Sequence, residues 1–283
     1  MELRFTKMQG AGNDFVMINA WNAPFELTRD EIRRLCDRRF GVGCDQLLVV
    51  ERPQTDKADF KYRIFNQDGG EVEMCGNGAR CFAVFVRDEG LTDKRRILCE
   101  TMRGIIAPEV CDDGRVTVDM GAPSFAPADC GFVTDGISHL TRAADTLWQI
   151  RAGGEDNWVS VLSMGNPHAV KIVGDAMGAE IEAVGADFQK HPAFVNRVNV
   201  GFLEPVDRTH ARLRVYERGV GETLACGTGA CAAAVAGMRR GVFDETVDIQ
   251  MKGGLLTIAW QGEDKSVFLT GPAEIVFKGV ISV

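Results

Sequence analysis

Two stretches of this chain repeat one another, Met74-Cys75-Gly76-Asn77-Gly78-Ala79-Arg80-Cys81 and Ala225-Cys226-Gly227-Thr228-Gly229-Ala230-Cys231. Their first cysteines lie 151 residues apart, and further short matches follow in the same order at offsets of 150 to 153. Among these matches, Gly12-Asn13 corresponds to Gly165-Asn166, and Gly104-Ile105-Ile106 corresponds to Gly254-Leu255-Leu256. Matches that keep their order over this length indicate two copies of one domain.

Each copy contains short β-rich runs, separated by Gly, Asp and Pro turns, and one helical stretch. Residues 75–88 are apolar nearly all the way round, so a helix there is predicted to be buried on every side. Residues 230–240 form its Ala-rich counterpart, and Arg239-Arg240-Gly241 is a helix-stop signal. The sequence therefore predicts an α+β fold of two pseudo-symmetric domains, each a bent, mostly antiparallel sheet wrapped around a central helix. We expect the first domain, with Cys75, to span residues 1–125 plus a C-terminal strand at 272–283, and the second, with Cys226, residues 126–271.

The composition limits the classes of partner. The 283 residues carry a net charge of −8, with 45% hydrophobic and 25% charged residues, as in ordinary globular chains. Net acidity without a basic cluster argues against nucleic-acid or anionic-membrane partners. The first residues lack the apolar run of a signal peptide, and the longest small-apolar run, 230–238, is far shorter than the roughly 20 residues that span a bilayer. We therefore expect a cytoplasmic protein.

Nine cysteines without a secretory signal are expected to be reduced thiols, most of them buried as small apolar side chains. None belongs to a C-x-x-C pair, so zinc-ribbon and thioredoxin-like sites have little support, and no metal site is predicted. Cys75 and Cys226 differ because each precedes Gly-x-Gly and the start of a helix. Unpaired N–H groups and the helix dipole stabilise a thiolate there, and they can also bind a carboxylate.

A matched pair of thiols suits one reaction class. Inverting a carbon centre requires a base on one face and an acid on the other, and the two roles exchange in the reverse direction. The pair therefore points to racemisation or epimerisation without a cofactor. Two alternatives stay open: a non-catalytic amino-acid-binding protein, which does not need both thiols, and a dithiol redox protein, whose sulfurs would cycle through a disulfide.

The two cysteine motifs resemble the signatures of the diaminopimelate epimerase family. The first signature runs from Asn66 to Cys81 and the second from Tyr216 to Ala230. Further matches cover essentially the whole chain: residues 7–15, Gly43-Cys44-Asp45-Gln46, Gly165-Asn166-Pro167-His168 and Asn199-Val200. Gly70, in a predicted turn, stands where the family often has Ser. Proline and hydroxyproline racemases are similar in fold and cysteine pair, but typically carry His where this chain has Asn77.

The resemblance implies interconversion of L,L- and meso-2,6-diaminopimelate, without pyridoxal phosphate or metal, in lysine and peptidoglycan precursor synthesis. It makes Cys75 and Cys226 the acid/base thiols, with His168 and Glu217 beside them. Backbone N–H groups are expected to hold the reacting α-carboxylate at Gly76, Asn77, Gly227 and Thr228. The other implied ligand contacts are Asn13, Gln46, Asn66, Asn166, Asn199, Glu217 and Arg218, with Arg218 suited to a distal carboxylate. By analogy with the family we expect a homodimer that acts on a small amino acid; the composition already argues against a nucleic-acid or membrane partner.

Overall fold

The structure is a computed structural model that describes residues 2–73 and 75–283; Met74, in the first cysteine motif, lies outside the described residues. The chain folds into two units, residues 1–119 with 270–283 and residues 120–269. The boundaries expected at 125/126 and 271/272 therefore lie further along the chain than the observed ones. Residues 120–125 belong to the second unit because Met120 N–H donates to Val267 O and Ser124 exchanges backbone hydrogen bonds with Ser163.

The strands follow one another in nearly the same pattern in both units. The first unit begins with β1 (Glu2–Gly10), β2 (Asn13–Asn19), β3 (Gln46–Glu51), β4 (Phe60–Asn66), β5 (Glu71–Val72), β6 (Cys99–Thr101), β7 (Gly104–Ile106), β8 (Glu109–Val110) and β9 (Val116–Asp119). The second contains β10 (His139–Arg142), β11 (Asp145–Ala152), β12 (Glu155–Ser163), β13 (Pro167–Ile172), β14 (Asn199–Pro205), β15 (His210–Glu217), β16 (Gly221–Thr223), β17 (Thr246–Met251) and β18 (Gly254–Ala259). β19 (Phe268–Gly271) crosses the boundary, and β20 (Glu274–Ser282) completes the first unit.

Two helices belong to each unit. They are α1 (Arg29–Cys36) and α2 (Gly76–Asp88) in the first unit, and α3 (Ile181–Lys190) and α4 (Gly227–Arg239) in the second, which also has a 3-10 turn at Pro127–Cys130. Among the described residues, none of the helices has the length and apolar character of a membrane-spanning segment.

The sheets repeat one topology. In the first unit the strand order is β20-β1-β2-β3-β4-β6-β7, with β5 paired to β4. The sheet of the second unit has the order β10-β11-β12-β13-β14-β15-β17-β18-β19, with β16 paired to β15. Most neighbours are antiparallel, as the sequence predicts. The exceptions are β2 with β3 and β4 with β6, matched by β13 with β14 and β15 with β17. Each parallel pair is joined through a helix, because parallel strands need a long crossover connection.

One helix lies at the centre of each unit. α2 buries ten of its thirteen residues, including Phe82 and Phe85, and it packs on β1, β2 and β3. α4 buries nine of thirteen, most of them alanines, and packs on β12, β13 and β14. A helix apolar on all sides is stable only where strands cover every side, so the wrapped arrangement follows from the sequence of these two helices.

A buried ion pair anchors the end of α4. Arg240 Nε lies 3.2 Å from Asp145 Oδ2, and its Nη2 donates to Ser160 Oγ at 2.6 Å and to Val170 O at 3.1 Å. The Ser160 hydroxyl also donates to Asp145. The following residue, Gly241, adopts a left-handed conformation with φ +71°, which ends the helix as the stop signal predicts.

We expect Asp145→Ala to lower the free energy of unfolding by about 3–5 kcal/mol, because it leaves the Arg240 guanidinium buried without its counterion. Asp156→Ala is the matched control, since it removes an exposed carboxylate paired with exposed Arg151, and it should cost less than about 1 kcal/mol. Urea unfolding followed by circular dichroism measures both. Equal effects of the two substitutions would show that the buried pair contributes no more than a surface pair.

Candidate active site

Cys75 is the N-cap residue of α2. Its backbone is extended (φ −134°, ψ 122°), so the first helical N–H groups of α2 open beside the thiol without partners inside the helix. The half-buried thiol lies 3.7 Å from Asn13 Oδ1, at the start of β2. The predicted position of this cysteine at a helix N-terminus is confirmed.

The orientation of the Asn13 amide is determined by its neighbours. Its Nδ2 donates to Asp45 Oδ2 at 2.7 Å, which directs Oδ1 toward Cys75 and toward Asn77 Nδ2 at 3.2 Å. Asn77 Oδ1 in turn accepts from Arg80 Nη1 at 2.9 Å. Sequence reasoning assigned no role to Asp45 or Arg80, although both lie inside the quoted motifs.

Gln46 and Asn66 form a second pair in the first unit. They are opposite each other where β3 begins and β4 ends, and Gln46 Nε2 donates to Asn66 Oδ1 at 2.9 Å. Phe15, two residues after Asn13, is the register partner of Gln46 on the neighbouring strand. Asn13, Gln46 and Asn66 therefore lie at one end of the same three strands.

Cys226 is the N-cap residue of α4 and has the same extended backbone (φ −128°, ψ 109°), but it is buried. Burial raises the pKa of this thiol well above its usual value, and the Glu217 carboxylate beside it raises the pKa further. The Gly229 N–H and the Thr228 hydroxyl, 3.7 Å from the sulfur, act in the opposite direction. The helix N-terminus thus favours the thiolate, as expected, but desolvation outweighs it and Cys226 is protonated.

Gly229 has a steric reason to be glycine. A Cβ at this position would lie 3.2 Å from Cys226 Sγ and 3.0 Å from Val215. The missing side chain lets the helix backbone approach the sulfur closely enough for its N–H to donate.

Glu217 lies at the end of β15 with its carboxylate held in place. Thr223 Oγ1 donates to Glu217 Oε1 at 2.5 Å, and Gln189 Nε2 donates to the Glu217 backbone oxygen at 2.7 Å. Thr223 belongs to β16, whose pairing with β15 sets it opposite Val215. Sequence reasoning missed Thr223 and Gln189; Thr223 could have been found from its place within the second signature.

A hydrogen-bonded chain links His168 to the second cysteine. His168 Nε2 lies 3.0 Å from Asn166 Oδ1, and Asn166 Nδ2 donates to Thr228 Oγ1 at 3.3 Å. Because the Asn166 oxygen is an acceptor, His168 carries its proton on Nε2. Burial, assisted by the charge of Arg218, lowers the pKa of His168 to about 3, so the imidazole is neutral.

Asn199 and Arg218 have different exposures. Asn199 is buried, and its amide donates to Pro167 O at 3.0 Å and accepts from the Arg218 N–H at 2.8 Å. These bonds occupy both ends of the amide, so in this structure Asn199 positions the chain around Arg218. The exposed Arg218 guanidinium makes one hydrogen bond of 3.4 Å to Asn196 O, which leaves donors for a carboxylate.

Each unit therefore brings its own predicted residues together around a thiol. In the first unit Asn13 and Asn77 adjoin Cys75, and in the second Thr228 and Glu217 adjoin Cys226. Such a site can exchange a proton with a carbon acid and can hold a carboxylate on the N–H groups of the helix. Within residues 2–73 and 75–283, no group of three or more His, Cys, Asp or Glu side chains is arranged to hold a metal ion.

The neutral, buried His168 predicts a pH dependence of stability. His168 binds a proton near pH 6.5 in the unfolded chain but only near pH 3 in the folded chain. Its contribution to the free energy of unfolding is therefore fully present above pH 6.5 and is lost progressively as the pH falls from 6.5 toward 3. From pH 7.5 to pH 5 this loss is about 2 kcal/mol. Urea unfolding of His168→Gln should show that much less pH dependence than the parent chain. His139→Gln, which changes an exposed histidine, should keep the parent behaviour; an unchanged slope in His168→Gln would contradict the assignment.

Solved structures of low sequence identity share this fold. A phenazine biosynthesis protein of the PhzF family from Bacillus anthracis superposes with a TM-score of 0.69 at 16% identity, covering 100% of both chains. A hydroxyproline epimerase from Agrobacterium vitis, with bound trans-4-hydroxy-L-proline, gives a TM-score of 0.67 at 15% identity, covering 99% of this chain and 92% of its own. These likenesses show the fold alone, and they confirm the α+β architecture expected from the sequence.

Much higher similarity is found in sequence. The family model described as diaminopimelate epimerase matches residues 5–126 and 160–276. The diaminopimelate epimerase of Herminiimonas arsenicoxydans is 54% identical over 283 residues, covering 100% of both chains. That of Cupriavidus metallidurans is 52% identical, covering 100% of this chain and 98% of the relative. Because the match extends over both cysteine-led halves, this chain belongs to the diaminopimelate epimerase family.

Proposed function

We propose that this protein is an isomerase that interconverts L,L- and meso-2,6-diaminopimelate, in lysine and peptidoglycan precursor synthesis. The observation that carries the proposal is the duplicated thiol: Cys75 and Cys226 are both N-caps of buried central helices. The family membership, over the full length of the chain, supports the choice of substrate.

The chemistry that we propose uses two bases. In one direction the Cys75 thiolate removes the α-proton, and the Cys226 thiol delivers a proton to the opposite face of the resulting carbanion. In the other direction the roles exchange. The raised pKa of Cys226 supports its role as the proton donor in the first direction. The Glu217 carboxylate beside Cys226 raises that pKa, and the neutral His168 adds no charge there.

We propose that the helix N-termini hold the reacting α-carboxylate. The N–H groups of Gly76 and Asn77 and of Gly227 and Thr228 lack partners within their helices, and they stabilise negative charge as it develops on the substrate. Asn13, Gln46, Asn66 and Asn166 supply further polar contacts, and the exposed Arg218 guanidinium suits the distal carboxylate. Asn199 would then act by holding the Arg218 backbone.

The activity is tested with reduced protein and L,L-diaminopimelate in D₂O, without added pyridoxal phosphate. Mass spectrometry follows deuterium at the α-carbon, and chiral chromatography follows the meso isomer. Deuterated meso product is expected. A parallel assay contains proline in place of diaminopimelate. Deuterium exchange into proline but not into diaminopimelate would favour a racemase, and binding of diaminopimelate without exchange would favour an amino-acid-binding protein.

Single substitutions test the two-base assignment. Cys75→Ser and Cys226→Ser should each lower kcat by at least about 10²-fold, the lower end of what a positioned acid or base contributes, while the circular dichroism spectrum stays unchanged. Cys111→Ser is the matched control, because Cys111 lies outside the site, in the turn between β8 and β9, and bonds to Thr117. Near-normal turnover in either active-site variant would remove that thiol from the mechanism.

We also propose that the enzyme acts in the cytoplasm, where thiols stay reduced, and as a homodimer. The edge strand β20 supports the dimer, because it pairs on one side with β1 and exposes Val276, Phe277 and Val280. An exposed apolar edge strand is usually covered by a partner.

Val276→Lys should therefore halve the molar mass measured by light scattering, since it places a charge on the edge. Val206→Lys is the control: Val206 is 53% exposed and Val276 is 55% exposed, but Val206 lies in the other unit. A dimer that persists in Val276→Lys, or a parent chain that is monomeric, would contradict this arrangement.

A further inference from the structure

Cys36 and Cys44 form a close pair of buried thiols that the proposed mechanism does not use. Cys36 ends α1, Cys44 lies just before β3, and the Cys44 N–H donates to Cys36 O at 3.2 Å. The Cys44 thiol donates to Cys36 Sγ at 3.4 Å. The sulfurs need to approach by only roughly 1.4 Å to reach disulfide bonding distance.

The surroundings make the two sulfurs chemically different. The hydrogen bond from Cys44 lowers the pKa of Cys36 more than burial raises it. The positive charges of Lys7 and Arg38 also lower this pKa, whereas nearby Asp14 raises it. The pKa of Cys44 is raised, first because its proton is held by Cys36 and then by burial. Cys36 is therefore the better nucleophile of the pair, and Cys44 is placed to react second.

Cys36 is 2% exposed and lies next to an open depression in the surface. It lines this depression of about 410 Å³ together with Asp30, Arg33, Arg34, Asp37, Phe40 and Gln67. A volume of this size is within the range that small ligands occupy, and both signs of charge at its rim suit a zwitterionic molecule.

The pair is connected to the Cys75 site through backbone and amide contacts. Cys44 is followed directly by Asp45, whose carboxylate orients the Asn13 amide that faces Cys75. The Cys44 backbone oxygen accepts from Gln67 Nε2 at 3.0 Å, and Gln67 follows Asn66 in the chain. A displacement of Cys44 would therefore move Asp45, which orients Asn13 beside Cys75, and would disturb Gln67, the neighbour of Asn66 in the chain.

We propose that Cys36 and Cys44 are a redox-modifiable dithiol, which a zwitterionic low-molecular-weight disulfide converts to an intramolecular disulfide, and that this closure displaces Asp45 and slows turnover at Cys75. The Cys36 thiolate attacks one sulfur of the small disulfide, forming a mixed disulfide and releasing one thiolate, which is protonated. Cys44 then loses its proton and attacks the Cys36 sulfur, which releases the second small thiol. The protein dithiol loses two electrons, and the small disulfide gains them.

The chemical step is tested with oxidised glutathione on the folded Cys75→Ser/Cys226→Ser double variant, which removes the acid/base thiols from the exchange. The expected result is a loss of two hydrogens in the intact mass and a disulfide between the tryptic peptides that carry Cys36 and Cys44. Further replacement of Cys44 by Ala should abolish that product and leave at most a mixed disulfide on Cys36. A double variant that stays reduced, or that stops at the mixed disulfide, would overturn the proposal.

The effect on turnover rests on the proposed function and is measured separately. Oxidised enzyme with native Cys75 and Cys226 should have a kcat lower by about tenfold to 10²-fold, the range expected when a group that contacts the substrate, here the Asn13 amide, moves by up to 1 Å. Reduction with dithiothreitol should restore kcat. Cys44→Ala, treated identically, keeps Cys75 and Cys226. Its kcat should fall only by the amount that direct oxidation of these two thiols causes. Equal losses in both proteins would overturn the link through Asp45. If the reduced protein does not epimerise at all, the proposed function fails, while the mass measurement still decides the dithiol.

Discussion

The two central helices, α2 and α4, must be enclosed by strands before either thiol can be positioned. Both helices are apolar on nearly every side, so leaving either on a surface would expose apolar area at roughly 25 cal/mol per Å². Strands cover their flanks, and the helix N-terminus is where the buried backbone still offers unpaired N–H groups. A cysteine at each N-cap is thereby placed beside the groups that can bind a carboxylate.

The same burial that builds the scaffold also sets the protonation of the site. Cys226 is kept as a thiol and His168 as a neutral imidazole, in both cases chiefly by desolvation. A buried polar group is tolerated only with partners, and the bonds from Thr223, Asn166 and Thr228 provide them. The polar groups around Cys226 therefore form one connected set rather than independent side chains.

The duplicated halves carry equivalent amides in opposite orientations. Asn13 donates to Asp45 and turns its oxygen to Cys75, whereas Asn166 accepts from His168 and turns its N–H to Thr228 beside Cys226. One scaffold thus presents an acceptor to one thiol and a donor to the hydroxyl beside the other. The backbones at the two cysteines are similar, so the two halves differ at these sites mainly in the hydrogen-bond partners of Asn13 and Asn166.

Local features of the fold were predictable because they depend on neighbours in the chain. The stretches predicted to be helical, residues 75–88 and 230–240, agree within three residues with the observed bounds of α2 and α4, and α2 starts directly after Cys75. The parallel pairs were not predicted, since a strand's direction relative to its neighbour depends on the crossover between them. The observed boundary between the units follows residue 119, six residues before the expected one, because Met120 and Ser124 bond to residues far along the chain.

The duplicated architecture, the two thiols at helix starts, the family and the residue types available for the chemistry can all be inferred from the amino-acid sequence. These follow from periodicity and motif, which need no knowledge of distant contacts. Three other features are visible only in the folded chain: Asp45 orients Asn13, burial keeps Cys226 protonated, and the sulfurs of Cys36 and Cys44 lie 3.4 Å apart. Hydrogen bonds and desolvation depend on distances between residues that the fold, and not the chain order, brings together.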